Sequence, residues 1–362
     1  MAPEVSPALR RGWTTGACAA AGSRAAFAAM LTGRFPDPVT IRLPRGDEAT
    51  FPLALAELSG TGARAGIVKD AGDDPDITHG ALIIAETAWA APGSGIGFVA
   101  GEGVGTVTRA GLSLAVGEPA INPAPRVLIR DTLIDAAAEL GAPRPDITVT
   151  ISIPGGVSLA EKTMNARLGI VGGLSILGTT GIVVPYSCSS WIHSIHRGID
   201  VARAAGLNHI AAATGATSER AVQRLYDLPD HALIDMGDFV GGTLKYLRRY
   251  PVERLTIAGG FAKLVKLAAG HLDLHSTRSR VDIAWLAGLL GELGAEAATL
   301  ATARTANGAA EILGVAGDLR EALARAIAGR AREVALATIC GKTAVEVAIV
   351  DRQGGVLARV GT

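Results

Sequence analysis

The densest group of chemically capable side chains lies in KDAGDDPDITHGA, from Lys69 to Ala81, where Asp70, Asp73, Asp74, Asp76 and His79 follow one another closely. Four carboxylates and an imidazole at this density offer proton acceptors and donors, or oxygen ligands for a divalent cation. The spacing is not that of an EF-hand loop, because no Gly and bidentate Glu fall at the required places. Asp side chains also cap turns, and Asp74-Pro75 favours one. Spacing alone therefore leaves a structural loop, a substrate-contacting loop and a metal site all open.

Further along, GEGVGTVTRAGL carries Gly101, Glu102, Gly103 and Gly105 after an apolar run, with Arg109 close behind. Glycines let backbone approach an anionic ligand, but the stretch lacks the strand-to-helix setting of a G-x-G-x-x-G turn, and a plain hairpin fits equally well. GEPAINPAPR places Glu118, Asn122 and Arg126 on a proline-stiffened loop. Asn165 and Arg167 lead into a Gly-rich stretch. Each of Arg109, Arg126 and Arg167 can fork onto a carboxylate.

In the second half, AATGATSER offers Gly215, Thr217 and Ser218, IAGGFAKL offers Gly259, Gly260 and Lys263, and LIDMGDF supplies Asp235 and Asp238. All three follow apolar runs, which puts them on one edge of a parallel sheet and sketches a single ligand crevice. His193 and His196 are three apart on an expected helix, a possible metal pair without the Glu of H-E-x-x-H. No G-x-S-x-G elbow and no G-x-x-x-x-G-K-[ST] loop occurs, which argues against a serine hydrolase of that type and a P-loop enzyme.

The elements that must position these groups divide the chain into an α/β protein of two domains. Residues 1–180 read as an α+β domain. Thr14-Thr15-Gly16 opens an Ala-rich helix that ends at Gly33, strands follow at Val39–Leu43, Ala65–Lys69, Ala81–Glu86, Gly95–Ala100 and Thr148–Ile153, and a helix covers Pro125–Leu140. Residues 181–362 read as a Rossmann-like α/β domain with a mainly parallel sheet. Its expected strands are Ile182–Pro185, His209–Thr214, Ala232–Met236, Arg254–Ala258 and Glu333–Ile339, with helices near Ser190–Ala205, Ser218–Leu225, Phe239–Tyr250 and Ala262–Ala269. TAVEVAIVDRQGGVLARVG reads as a hairpin turning at Gly354-Gly355 and forming an antiparallel edge.

Composition limits the partners. With 34 basic and 34 acidic side chains the net charge is zero, so there is no global attraction to nucleic acid or to an anionic membrane. The charge-free stretch from Leu168 to Tyr186 is long enough to span a bilayer, yet its five glycines and Pro185 would make a poor helix, and strands with Gly-rich turns are expected there instead. The N-terminal MAPEVSPALRRGW has no apolar h-region, and Cys18, Cys188 and Cys340 are odd in number with no C-x-x-C. A cytoplasmic, reduced protein is expected.

Read in order, RRGWTTGACAAA, VKDAGDDPDITHGA, GEGVGTVTRAGL, VGEPAINPAPR, SIPGG, NARLGIVGGLSILGTTGIV and the HSI segment resemble the cobalt-precorrin-5B C(1)-methyltransferase family of cobalamin biosynthesis, the CbiD type. The resemblance implies methyl transfer from S-adenosylmethionine to carbon 1 of a ring-contracted tetrapyrrole, with or without cobalt, and no protein-bound metal. It implies Asp70, Asp73, Asp74 and His79 as the catalytic set. The tetrapyrrole would meet Thr14, Thr15, Asp76, Gly101, Glu102, Gly103, Arg109, Glu118, Asn122, Arg126, Asn165, Arg167, Thr179 and Thr180 in the first domain. S-adenosylmethionine would meet Gly215, Thr217, Ser218, Asp235, Gly259, Gly260 and Lys263 in the second, with the cleft near Gly178-Thr179-Thr180. Neighbouring pathway enzymes and a second copy of the chain are the macromolecular partners it allows. A non-catalytic tetrapyrrole carrier and a divalent-metal hydrolase or phosphotransferase built on the Asp loop are the alternatives.

Overall fold

The computed structural model describes residues 9–361, and the chain divides after Ser187 into two compact units. Residues 1–8, part of the N-terminal stretch without an apolar h-region, lie outside the described residues.

In the first unit, β1 (Gly12–Trp13) leads into α1 (Thr15–Thr32). The Thr14 side chain caps this helix by accepting from the Ala17 N–H at 3.2 Å, and Gly33 ends it in the left-handed conformation at φ 77°. Then come β2 (Val39–Arg42), β3 (Glu48–Phe51), β4 (Leu55–Leu58), β5 (Gly62–Val68), β6 (Leu82–Trp89), β7 (Ile96–Ala100) and β8 (Thr106–Val107). α2 (Pro123–Glu139), β9 (Ile147–Ser152), α3 (Gly156–Ala160), β10 (Ile170–Val171) and β11 (Ile182–Val183) complete the unit. The main sheet runs β4-β5-β6-β9-β7, antiparallel except where β7 pairs parallel to β9. α1 lies on β5 and β6 and alongside α2. Its alanines let helix and sheet approach closely: a Cβ at Gly22 would come within 3.0 Å of the Ala65 carbonyl and 3.2 Å of the Ala85 methyl. This close packing is how a core poor in aromatics reaches interior density.

The charge-free stretch forms two short strands. β10 pairs with β8 and β11 with β1, both antiparallel. Ile182–Val183 therefore does not join a parallel sheet as expected. Among the described residues no helix is long and apolar enough to cross a membrane.

The second unit alternates strand and helix: α4 (Cys188–Ala204), β12 (His209–Ala213), α5 (Ala216–Tyr226), β13 (Leu233–Asp235), α6 (Val240–Arg249), β14 (Arg254–Gly260) and α7 (Phe261–Ala268). α8 (Ile283–Glu292), α9 (Ala297–Arg304), α10 (Ala309–Val315) and α11 (Arg320–Ile339) precede β15 (Ala344–Val350) and β16 (Val356–Val360). The sheet order is β13-β12-β14-β15-β16, with parallel pairing throughout except for antiparallel β16. The mixed α/β class is as expected, and so is the hairpin at the sheet edge. The strand expected at Glu333–Ile339 is instead the last part of α11. Its buried residues Leu323, Ile327, Ala331, Ala335 and Ile339 recur every four positions, a helical period that a short apolar window hides.

Candidate functional site

The Asp-rich loop sits between β5 and β6, and most of its carboxylate oxygens are spoken for. Asp70 takes the guanidinium of Arg10 and the Gly72 N–H at 2.9 Å. The Arg10 hydrogen bond, followed by that from Gly72, lowers its pKa to about 2. Asp73 accepts the Arg10 N–H at 2.6 Å while its own N–H donates to the Arg10 carbonyl at 2.9 Å. Asp74 accepts the Tyr186 N–H at 2.8 Å. Asp76 accepts from the Lys69 Nζ at 2.6 Å and from the N–H and hydroxyl of Thr78 at 2.7 and 2.6 Å. Burial raises the Asp76 pKa, but Lys69 and Thr78 together outweigh it and the net shift is downward. His79 Nδ1 accepts the Ala71 N–H at 3.1 Å, so in the neutral ring the proton is on Nε2, and the side chain is half-exposed. The loop is a latch that ties residues 10–13 and Tyr186 to the main sheet. A carboxylate held at about 2 by Arg10 is a weaker base than a free one. Among the described residues no group of three or more His, Cys, Asp or Glu is placed to hold a metal ion.

The N-terminus of α1 meets the Gly-rich stretch. Thr15 Oγ1 accepts the Leu177 N–H at 2.9 Å, and the Thr14 N–H donates to the Gly181 carbonyl at 3.0 Å. Thr180 Oγ1 accepts the Ile182 N–H at 3.3 Å, and Thr179 is exposed. Gly101 and Gly103, expected to admit a ligand, admit protein instead. A Cβ at Gly101 would overlap the Ser152 side chain, and one at Gly103, where φ is +70°, would overlap the Ile153 carbonyl. Gly156 and Gly173 both press on the Gly103 backbone, so three chain segments cross where there are no side chains. Glu102 is exposed.

Arg126 is likewise engaged. Its Nε donates to the Ile121 carbonyl at 2.8 Å, and its Nη2 reaches the Pro119 carbonyl at 3.2 Å and Glu118 at 2.8 Å. It fastens the GEPAIN loop to the start of α2. Asn122 precedes that helix without a side-chain cap bond, and Asn165 is buried with its Nδ2 donating to the Gly173 carbonyl at 3.1 Å. Arg167 is part-buried and has a partner. Arg109 differs from these: its Nη1 is buried without a hydrogen-bond partner among the described residues.

In the second unit, a cavity of about 600 Å³ opens at the carboxyl ends of β12, β14 and β15. β12 connects to β13 on one side and β14 lies on its other side, so the cavity sits at the topological switch point where open parallel sheets bind ligands. Of the residues expected to meet S-adenosylmethionine, Gly215, Thr217, Ser218, Gly260 and Lys263 line it. A Cβ at Gly215 or Gly260 would meet nothing, so backbone faces the space directly. Both residues begin helices that lack a side-chain cap. Lys263 donates to the Thr214 carbonyl at 2.9 Å and lies 3.0 Å from Asp238 Oδ1, close enough for an ion pair but outside hydrogen-bond geometry.

Two expected residues are elsewhere. Gly259 does not line the cavity, because it makes room for the Thr214 side chain. Asp235 also lies off it, at the end of β13, where its carbonyl accepts Trp191 Nε1 at 3.1 Å. Arg320 and Arg352 line the cavity, are exposed and have no partner among the described residues. Phe261, Leu313, Val350 and Leu357 add apolar walls. His193 and His196 lie with their rings parallel and 6.4 Å apart, and His196 stacks on Tyr246 at 3.9 Å, so the pair does not converge on a metal.

The chain matches the family described as CbiD over residues 2–185 and that described as CbiD, C-terminal domain over residues 273–361. It belongs to the CbiD family. A Brucella anthropi protein named cobalt-precorrin-5B C(1)-methyltransferase is 58% identical over 353 residues, covering 97% of this chain and 96% of the relative. A Brucella canis protein of the same name is 57% identical with the same coverage. The crystal structure of a cobalamin biosynthesis protein (cbiD) from Archaeoglobus fulgidus is 30% identical, with a TM-score of 0.41 over 75% of this chain and 83% of that one. In this CbiD-family chain the cavity residues missed from sequence, Arg320 and Arg352, come from the start of α11 and the turn of the β15–β16 hairpin. The signal that could have found Arg352 is that turn itself, Asp-Arg-Gln-Gly-Gly, which carries a cation at a strand's carboxyl end.

Proposed function

We propose that this chain transfers a methyl group from S-adenosylmethionine to carbon 1 of a ring-contracted precorrin-5B or cobalt-precorrin-5B, giving the corresponding precorrin-6A. The observation that supports this most is the correspondence over 97% of the chain with relatives carrying that activity in their name. The cosubstrate supplies an activated sulfonium methyl, so no covalent protein nucleophile is called for, and alignment with exclusion of water is the enzyme's main task.

The second-unit cavity suits such a cosubstrate. Its volume is within the range of small-ligand sites. Gly215 and Gly260 leave uncapped backbone N–H groups facing it, Arg320 and Arg352 match a carboxylate, and Phe261 and Leu357 suit an aromatic base. The macrocycle is assigned to the first unit, where Arg109 and the exposed Glu102, Thr179 and His79 edge keep unused polar groups. His79, with Nδ1 taken by the Ala71 N–H, turns its exposed Nε2 edge toward solvent, where it can meet a polar group of the ring system.

The test is mass spectrometry of purified protein incubated with methyl donor and a corrin precursor, where one added methyl is expected. Tetrapyrrole binding without donor binding would instead mark a carrier. Crystals soaked with S-adenosylhomocysteine should show density at Gly215 and Gly260. Density in the first unit alone would overturn the cofactor assignment.

A further inference from the structure

Arg109 follows β8, whose partner strand β10 begins just after Gly169. The backbone around it is firmly held. The Thr108 N–H and hydroxyl donate to the Gly169 carbonyl at 2.7 and 2.8 Å, and Val107 pairs with Ile170. Gly169 has φ +74°, and a Cβ there would fall 2.5–2.8 Å from Cβ, Cγ and Cδ of Arg109. The arginine stem therefore runs through a slot that exists because position 169 has no side chain. Yet the head this slot positions is unsatisfied, since Nη1 is buried without a partner.

The contrast with the neighbouring arginines is informative. Arg126 engages Nε and Nη2 with two carbonyls and Glu118, and Arg10 is forked onto Asp70. A guanidinium that stabilises the fold is expected to look like these, because a buried donor without an acceptor is destabilising. Arg109 as a residue is only part-buried, so part of its side chain borders solvent while Nη1 itself is enclosed, and a ligand group has to enter beside it to meet that donor. We propose that Arg109 is a specificity-determining residue that grips one peripheral carboxylate of the tetrapyrrole, held in place by the Gly169 slot at the expense of the ligand-free fold's stability. This rests on the methyltransferase reading for the identity of the ligand. Its chemistry is a planar guanidinium fork onto a carboxylate, which a lysine cannot reproduce.

The experiment uses the full chain with Arg109→Met and Arg109→Lys. Three quantities are measured: thermal unfolding without ligand, fluorescence titration with uroporphyrin as a polycarboxylate tetrapyrrole probe, and calorimetric titration with S-adenosylhomocysteine. Arg109→Met is expected to melt at or above the wild-type temperature, to bind the probe about 10–100-fold more weakly, and to bind S-adenosylhomocysteine unchanged. Arg109→Lys is expected to recover only part of the probe affinity. A lowered melting temperature with unchanged probe affinity would overturn the proposal and make Arg109 a structural residue. Full recovery in Arg109→Lys would also overturn it, since a point charge would then suffice. Failure of wild-type protein to bind the probe would overturn it as well, whereas the methyltransferase reading fails separately, on loss of S-adenosylhomocysteine binding.

Discussion

Replacing Asp76 by alanine tests whether the Asp-rich loop is a latch or a substrate contact. Lys69 is 1% exposed and its ammonium lies 2.6 Å from Asp76, which is 26% exposed. Removing the carboxylate strands a buried charge, a loss of about 3–5 kcal/mol for pairs of this kind, and the partial exposure of Asp76 argues for the lower end. The turn bonds to Thr78 add roughly 1 kcal/mol. At about 2–4 °C per kcal/mol for a unit of this size, the melting temperature should fall by roughly 8–16 °C. Lys69→Met in the same chain should recover most of that loss, because the uncompensated charge is gone. Thermal melts of the full chain by circular dichroism, with methyl transfer assayed well below the transition, give both quantities. If Asp76→Ala melts within about 2 °C of wild type while turnover is lost, the latch interpretation is wrong and Asp76 contacts substrate.

Arg320→Ala and Arg352→Ala should each weaken S-adenosylhomocysteine binding about 10–100-fold by calorimetry, the range for one charge-assisted contact, while unchanged affinity in both would move the ligand elsewhere. The Asp70 carboxyl is held at about 2, below its unfolded value near 4, so its contribution is complete above pH 4 and is lost as pH falls toward 2. Urea midpoints between pH 5 and 2 should therefore fall more steeply in wild type than in Asp70→Asn, and equal slopes would deny the Arg10 pair a role. Gly103→Ala forces a left-handed alanine against the Ile153 carbonyl and should cost about 2–5 kcal/mol, read as a lower urea midpoint.

Local rules made much of the fold legible. Thr14 and Gly33 marked both ends of α1, and the glycine-broken repeat of apolar runs marked the parallel sheet. They failed at Glu333–Ile339, where a small apolar window cannot separate helix from strand and the deciding period is spread over all of α11. The cavity lining was legible where it lies next to a strand end, as at Gly215 and Gly260. Contacts were illegible where partners come from afar. That Asp73 serves Arg10, or that Gly103 is crossed by Gly156 and Gly173, is a fact of tertiary contact. Arg320 was hidden for the same reason, because only packing brings the start of α11 to the carboxyl ends of β12 and β14.

Strand β16 pairs antiparallel to β15 and closes one side of the second unit's sheet. An unpaired β15 would present a row of free N–H and C=O groups to any passing strand, the usual route to self-association. The turn that brings β16 into place is also the turn that carries Arg352 into the cavity, with Asp351 Oδ1 accepting the N–H groups of Gln353 and Gly355 at 2.9 and 2.7 Å. Protection of the sheet edge and the lining of the cavity thus share one hairpin. A lesion that loosens it would weaken binding and promote aggregation together, and a ligand seated against Arg352 would act as a chaperone for the sheet edge.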